Sequence, residues 1–416
     1  MRPGAAPRRP VAQESGVGRR HRPDYWLPLL STALLGIGLV VIYAISPGLA
    51  GQNNVGENYF VSKQLIAIAL GIIAFFVMAN VPLSFWRSIQ KPLIIIAGVA
   101  ALAVRLVGEE VNGAYRWIQL GGMSFQAVEL IKFALLIWLA SFLADRIQRG
   151  ELGSFDRALK PMLFALGVIG VVVALLQSDF GSTAVMVAMM AAMAFVAGMP
   201  LKKVLMVGGI VAIGGVLLIA STPYRRERLA TFMNPERDCQ NAGYQACQAL
   251  IAVGSGGVFG LGLAQSVQAY GYLPEAQNDS IFAIYAEKFG FVGVMVLLGL
   301  FMALFARMIK IIEHTPDIFS RLVVTGILAW LSTQALINMG AMLGVLPLKG
   351  ITLPFISYGG TSLLFITGVV GMAFQVSRYT SYGRINTNNY GQNSSQSPAD
   401  RRGNGRTYYP PVSRRP

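Results

Sequence analysis

Residues 222–290 read TPYRRERLATFMNPERDCQNAGYQACQALIAVGSGGVFGLGLAQSVQAYGYLPEAQNDSIFAIYAEKFG. The stretch is too polar and too rich in Gly to lie within a bilayer. The sequence on either side of it is mostly apolar span. Long inserts of this kind are either functional or disordered. This one keeps apolar residues at regular intervals. It also carries a cluster of arginines, two cysteines and a Pro-Glu pair ahead of an aspartate, so it reads as an ordered polar insert between membrane segments.

Working outward, the 416 residues are 54% hydrophobic and 13% charged, with a mean hydropathy of +0.55. A soluble domain carries about 25% charge. Apolar runs of the length needed to cross a hydrocarbon core recur along the chain. They predict an all-α integral membrane protein of about ten transmembrane helices, near 26–46, 60–80, 92–108, 127–144, 161–177, 180–199, 204–221, 281–306, 322–344 and 357–377. The large outer loop then lies between spans seven and eight. A β-barrel would instead show short alternating strands. The first span follows a basic leader and no small-residue cleavage site follows it, so it is not a signal peptide.

Most of the chain's 34 Lys and Arg fall on one side if the N-terminus is inside. The positive-inside rule then puts both termini in the cytoplasm and the 222–290 loop outside. The net charge of +15 is thereby a topology and anionic-lipid signal, not a nucleic-acid one. Residues 1–25 and 379–416 read as disordered cytoplasmic tails flanking a membrane domain of 26–378. Partner docking is the alternative role for them.

Several polar residues stand out against this background. Residues 109–126 form the second outer loop, with Arg116 next to Trp117 at headgroup level. Glu129 and Lys132 open the next span at i, i+3, where they can neutralise one another. Charges at that depth are costly, so the pair is either functional or a structural ion pair. Asp179, in LLQSDFGST, is either a turn device or a substrate-facing carboxylate. Arg225, Arg226 and Arg228 suit either phosphate oxygens or a collar of lipid headgroups. Lys349 lies in GVLPLKGITLPFISYGGTS (344–362), whose Pro and Gly residues impose irregular backbone near the membrane. Such backbone persists where it is buried in protein or lines a polar cavity.

Cys239 and Cys247 are the only cysteines. On an oxidising outer face they predict a local disulfide, contributing about 2–3 kcal/mol. The two histidines, His21 and His314, fall on the inner side, so outer-face chemistry must use other groups. No metal-ligand spacing and no Walker or dinucleotide loop is present; GSGGVFGLGL is Gly-rich but lies outside, where no nucleotide is expected. In LPEAQNDSIFAIYAEKFG (273–290), Pro274 predicts a helix start with Glu275 in the first turn. Asp279 would then share a face with Glu275 at the head of span eight. A carboxylate there suits a general base acting on a sugar or lipid hydroxyl.

At these residues the sequence resembles the SEDS family of shape, elongation, division and sporulation proteins, typified by FtsW and RodA. Four motifs in order carry the resemblance. They are NGAYRWIQLGGMSFQAVELIK (112–132), LLQSDFGST (175–183), the loop running through GSGGVFGLGL to LPEAQNDSIFAIYAEKFGFVG (223–293), and INMGAMLGVLPLKGITLPFISYGGTSLL (337–364). Lys349 places the chain nearer the FtsW and SpoVE branch than RodA. The resemblance implies a peptidoglycan glycosyltransferase on the outer face of the bacterial cytoplasmic membrane, polymerising lipid II. The growing glycan on its polyprenyl pyrophosphate would be the donor. It implies Asp279 as the catalytic carboxylate, with Lys349, Arg116 and Asp179 on family site positions. It also implies a class B penicillin-binding protein as partner, among other divisome or elongasome proteins. No cofactor is evident; a divalent cation, Mg or Mn, could assist the departing pyrophosphate. The chain departs from the family at Gln277 and Asn278, where His and Thr are common, and reads FQAVEL for FQPSEL, keeping Glu129. The glutamate that FtsW proteins often carry before the LPEA motif has no counterpart in QAYGY, and Ala264 falls where Gly is common. Two rival readings are a lipid II flippase, which would need polar groups at mid-membrane depth, and a non-catalytic scaffold for another synthase.

Overall fold

Each apolar run folds as a helix, because a helix satisfies its own backbone hydrogen bonds where lipid offers none. The computed structural model describes residues 22–380 apart from 112–113, 121–122, 221–231, 234–238, 242 and 349. Helices α1 (Trp26–Asn53), α2 (Tyr59–Asn80), a short α3 (Leu83–Ser88) and α4 (Gln90–Val107) come first. Strands β1 (Glu109–Val111), β2 (Ala114–Leu120) and β3 (Met123–Gln126) lead into α5 (Ala127–Gln148). Next come α6 (Lys160–Ile169), flanked by π-helical turns at Phe155–Leu159 and Gly170–Leu176, then α7 (Phe180–Val196) and α8 (Leu201–Ala220). The chain continues through α9 (Tyr244–Ser255), α10 (Ile281–His314), α11 (Ile318–Met342) and α12 (Gly360–Ser377).

Among the described residues, eight helices are long and apolar enough to cross a membrane. The 17-residue α7 is apolar but shorter, and α8 occupies the seventh expected span. All ten expected spans thus coincide with helices. The apolar windows of α5, α11 and α12 are 78, 72 and 89% buried, against 22% for α2, α4 and α10. The first three form the interior. The others turn Phe76, Ile95, Leu102, Phe291 and Met302 outward, a surface that suits hydrocarbon and not water. Helix α2 lies along α12, and a Cβ at Gly371 would collide with the Phe75 carbonyl. Small residues at a helix contact allow this closeness in membranes.

At one end of the bundle, Asp24 joins three elements. Its amide donates to Ser377 Oγ at the end of α12 (3.0 Å), and its carboxylate accepts from Arg307 Nε on α10 (2.8 Å) and from the Trp26 amide opening α1 (3.0 Å). The two ends of the bundle, at Asp24 and Ser377, therefore meet at one place.

Within the expected outer loop 109–126, β1, β2 and β3 form a three-stranded antiparallel sheet. Val111 pairs with Ala114 across Asn-Gly, and Leu120 with Met123 across Gly-Gly. Those are two-residue hairpin compositions. Span eight, expected from Ile281, is broken near its start. Helix α10 is interrupted at Gly290, whose φ of 63° and ψ of −165° are non-helical. Residues 281–288 ahead of the break are buried in the protein.

The break explains the Gly-rich run. Gly257 and Val258 carbonyls accept from the Phe291 and Val292 amides, and the Leu261 and Gly262 amides donate back to the carbonyls of Glu287 and Lys288. A Cβ on Gly290 would collide with the Gly260 backbone, where no flexible side chain can yield. Gly290→Ala is therefore expected to cost roughly 2–3 kcal/mol from backbone strain and overpacking. The check is the thermal unfolding midpoint of the purified protein, which should fall by several degrees.

Candidate active site

The Pro-Glu run does not start a helix. Glu275 has φ 52°, in the left-handed region, and the helix begins only at Ile281. Residues 274–280 instead wind into a tight turn. The Asn278 and Ser280 amides donate to the Glu275 carbonyl (2.9 and 3.2 Å), and Ser280 Oγ donates to the Pro274 carbonyl (2.9 Å). Glu275 and Asp279 therefore share no helical face. Glu275 is exposed and its carboxylate accepts from Asn278 Nδ2 (2.6 Å). Asp279 is half-buried, two residues ahead of the helix.

The turn is fastened to the segment between α11 and α12. Asn338 on α11 donates to the Asp279 carbonyl (2.7 Å). Ser357 Oγ donates to the Asn278 carbonyl (2.6 Å), and the Tyr358 amide to the Gln277 carbonyl (2.8 Å). The same segment holds the sheet that contains Arg116. Thr361 Oγ1 donates to the Ser124 carbonyl (2.7 Å) and accepts from the Gln126 amide (3.4 Å), and β3 pairs with β2. The last outer loop is thus a hub between the Asp279 turn and the Arg116 sheet. It is also the loop that carries Lys349, a residue outside the described ones, as are Arg225 and Arg228.

Below the hub lies the charged pair on α5. Lys132 Nζ and Glu129 Oε1 are 2.8 Å apart with side chains 1 and 3% exposed. Lys132 also donates to Gln334 Oε1 (3.1 Å) and sits 5.0 Å from the Trp330 ring centroid. The Trp330 indole donates to the same Gln334 oxygen (2.9 Å). Gln334 Nε2 then reaches the carbonyl and hydroxyl of Thr352 (3.0 and 3.1 Å). A chain of polar contacts therefore runs from the interior of the bundle to the outer hub.

Asp179 is 3% exposed and caps α7, accepting from the Ser182 amide (2.9 Å). Cys239 and Cys247 are joined as a disulfide that ties the start of α9 to the preceding loop. A cleft of about 310 Å³ lies between α1, α2 and residues 263–270, lined by Tyr43, Ser46, Glu57, Asn58 and Tyr270. It contains none of the residues expected from sequence.

Four polar positions that organise this region escaped the sequence reading. Gln334, Asn338 and Thr352 carry the contacts just described. Glu287 is the fourth: its buried carboxylate accepts from Ser266 Oγ and from the Val267 and Gln268 amides (2.9 and 3.2 Å). Polar residues inside an apolar helix were the available signal for Gln334, Asn338 and Glu287. Their partners are set by tertiary packing alone.

The model of the FtsW/RodA/SpoVE cell cycle proteins matches residues 25–382. The chain is 40% identical over 362 residues to "Probable peptidoglycan glycosyltransferase FtsW" of Saccharophagus degradans, covering 85% of this chain and 92% of that protein. It is 38% identical to "Stage V sporulation protein E" of Bacillus subtilis, covering 88 and 99%. Among solved structures, it is similar to a chain described under "Structural coordination of polymerization and crosslinking by a peptidoglycan synthase complex". The TM-score is 0.71 at 29% identity, covering 86% of this chain and 99% of that one. It is also similar to the rod shape determining protein RodA of Thermus thermophilus, with a TM-score of 0.61 at 29% identity over 86 and 98%. A match that spans every helix from α1 to α12 leaves one assignment: the chain belongs to the FtsW/RodA/SpoVE family of cell cycle proteins.

Proposed function

We propose that this protein is a peptidoglycan glycosyltransferase serving cell division, which polymerises lipid II on the outer face of the bacterial cytoplasmic membrane. Both termini are cytoplasmic in this reading. The observation that carries it is the Asp279 turn. A half-buried carboxylate stands at the outer end of a helical bundle, its backbone fastened at three successive residues to the last outer loop. Relatives named for this activity support it.

In the mechanism, the 4-hydroxyl of a GlcNAc on an incoming lipid II attacks the anomeric carbon of the growing glycan. Asp279 accepts the hydroxyl proton as the new glycosidic bond forms, and the bond to the polyprenyl pyrophosphate breaks. Arg116, Lys349, Arg225 and Arg228 neutralise the departing pyrophosphate, with guanidinium groups gripping its oxygens in pairs. Glu275, exposed in the same turn, is a substrate-binding group in this reading. Among the described residues no group of three or more His, Cys, Asp or Glu side chains is placed to hold a metal ion. A divalent cation would bind the pyrophosphate oxygens and offset the charge of the departing group, and no step is routed through it. A class B penicillin-binding protein is the crosslinking partner in this reading, and anionic lipids surround the basic inner loops.

The buried Glu129–Lys132 pair suits the rival reading of a lipid II flippase, since charge inside the bundle is a transport feature. Purified protein given lipid II, with and without a transpeptidase partner, separates the two. Glycan strands visible on a gel support the polymerase. Transfer of fluorescent lipid II across vesicle leaflets without strand formation overturns it.

A further inference from the structure

We infer that Asn338 is a positioning residue for Asp279, acting through the backbone and not through substrate. The inference rests on the polymerase reading of the site. Asn338 is 1% exposed on an otherwise apolar helix. Its Nδ2 donates twice, to the Asp279 carbonyl and to the Ile351 carbonyl, each at 2.7 Å. Both partners are acceptors, so only the amide nitrogen can face them and the orientation of the group is fixed. One side chain thereby ties the acid-bearing turn to the last outer loop.

The tie has a foundation. Gln334 lies one helical turn away on the same face of α11. It binds Thr352, the neighbour of Ile351, and takes the Lys132 ammonium and the Trp330 indole on its oxygen. Ile351 and Thr352 are thus held by two successive rungs of one helix, and the upper rung also holds Asp279. Asn338 thereby spends both of its donors on backbone carbonyls of the site.

The consequence concerns rate more than binding. A general base acts only within hydrogen-bond reach of its proton, and a displacement of about 1 Å can cost on the order of 100-fold in rate. Releasing Asn338 lets the Asp279 turn drift, while Gln334 still holds the last outer loop through Thr352.

The test uses the full-length protein with lipid II as substrate. Asn338→Ala is expected to lower kcat roughly 10–100-fold with KM within about twofold of wild type. Hydrogen exchange should rise at the Asn278, Ser280 and Leu353 amides and stay unchanged within α10 and α11. Wild-type kcat, or a loss carried by KM, overturns the inference. If the Ala variant loses its fold, Asn338→Ser, which keeps one donor, decides. Reduced kcat with a wild-type unfolding profile upholds the inference, and unchanged kcat or a second misfolded variant overturns it. Loss of activity in Asn338→Ala while Asp279→Asn stays active would instead sink the assignment of Asp279.

Discussion

Asp279→Asn protein, purified and supplied with lipid II, is expected to polymerise it roughly 10²–10⁴-fold more slowly than wild type, the contribution of a positioned general base. The substitution is nearly isosteric and removes the group that takes the proton. The structure gives it an unusual advantage as a test. Asn338, Ser357 and Tyr358 bind the carbonyls of residues 279, 278 and 277, and not their side chains. The turn should keep its shape, so the unfolding midpoint should match wild type. A rate within tenfold of wild type in a protein that unfolds normally would show that the proton goes elsewhere.

Lys132→Met is expected to be the most destabilising single change in the helical layer. It leaves Glu129 charged and buried, and breaking one partner of such a pair costs about 3–5 kcal/mol. The variant also strips a donor from Gln334 and the cation from the Trp330 ring. Glu129→Gln with Lys132→Met should recover most of that loss, since an uncharged, well-packed replacement is often neutral. Thermal unfolding of the single and double variants in one detergent gives the coupling. A double variant no more stable than Lys132→Met would mean that the unpaired Glu129 charge is not the source of the loss.

The helical layer was legible in the sequence because hydrocarbon imposes one rule on every span. The Glu129–Lys132 pair was legible for a related reason: i, i+3 spacing brings two side chains together whatever the tertiary fold. The sheet at 109–126 was signalled by Asn112-Gly113 and Gly121-Gly122, but an outer loop of a membrane protein carries no hydropathy argument for strands. The Asp279 turn was misread because Pro274 and Glu275 fit a helix start locally, whereas Glu275 adopts a left-handed backbone. The Gly-rich run and the break at Gly290 explain each other, and neither could be interpreted without the other's position. Asn338 is the extreme case. Its residue type was visible, yet its role depends on a turn 59 residues away in the chain.

The Asp24 junction bears on how the flanking sequences work. Residues before Asp24 and residues after Ser377 leave the bundle from a single point, because one carboxylate and one hydroxyl fasten α1, α10 and α12 together there. Two recognition elements, one in each flank, would present themselves to a bivalent protein from one anchor point, and joining two weak sites raises avidity well above either affinity. Weak motifs on the two sides could then act as one strong address. Removing either flank would cost far more than its own affinity.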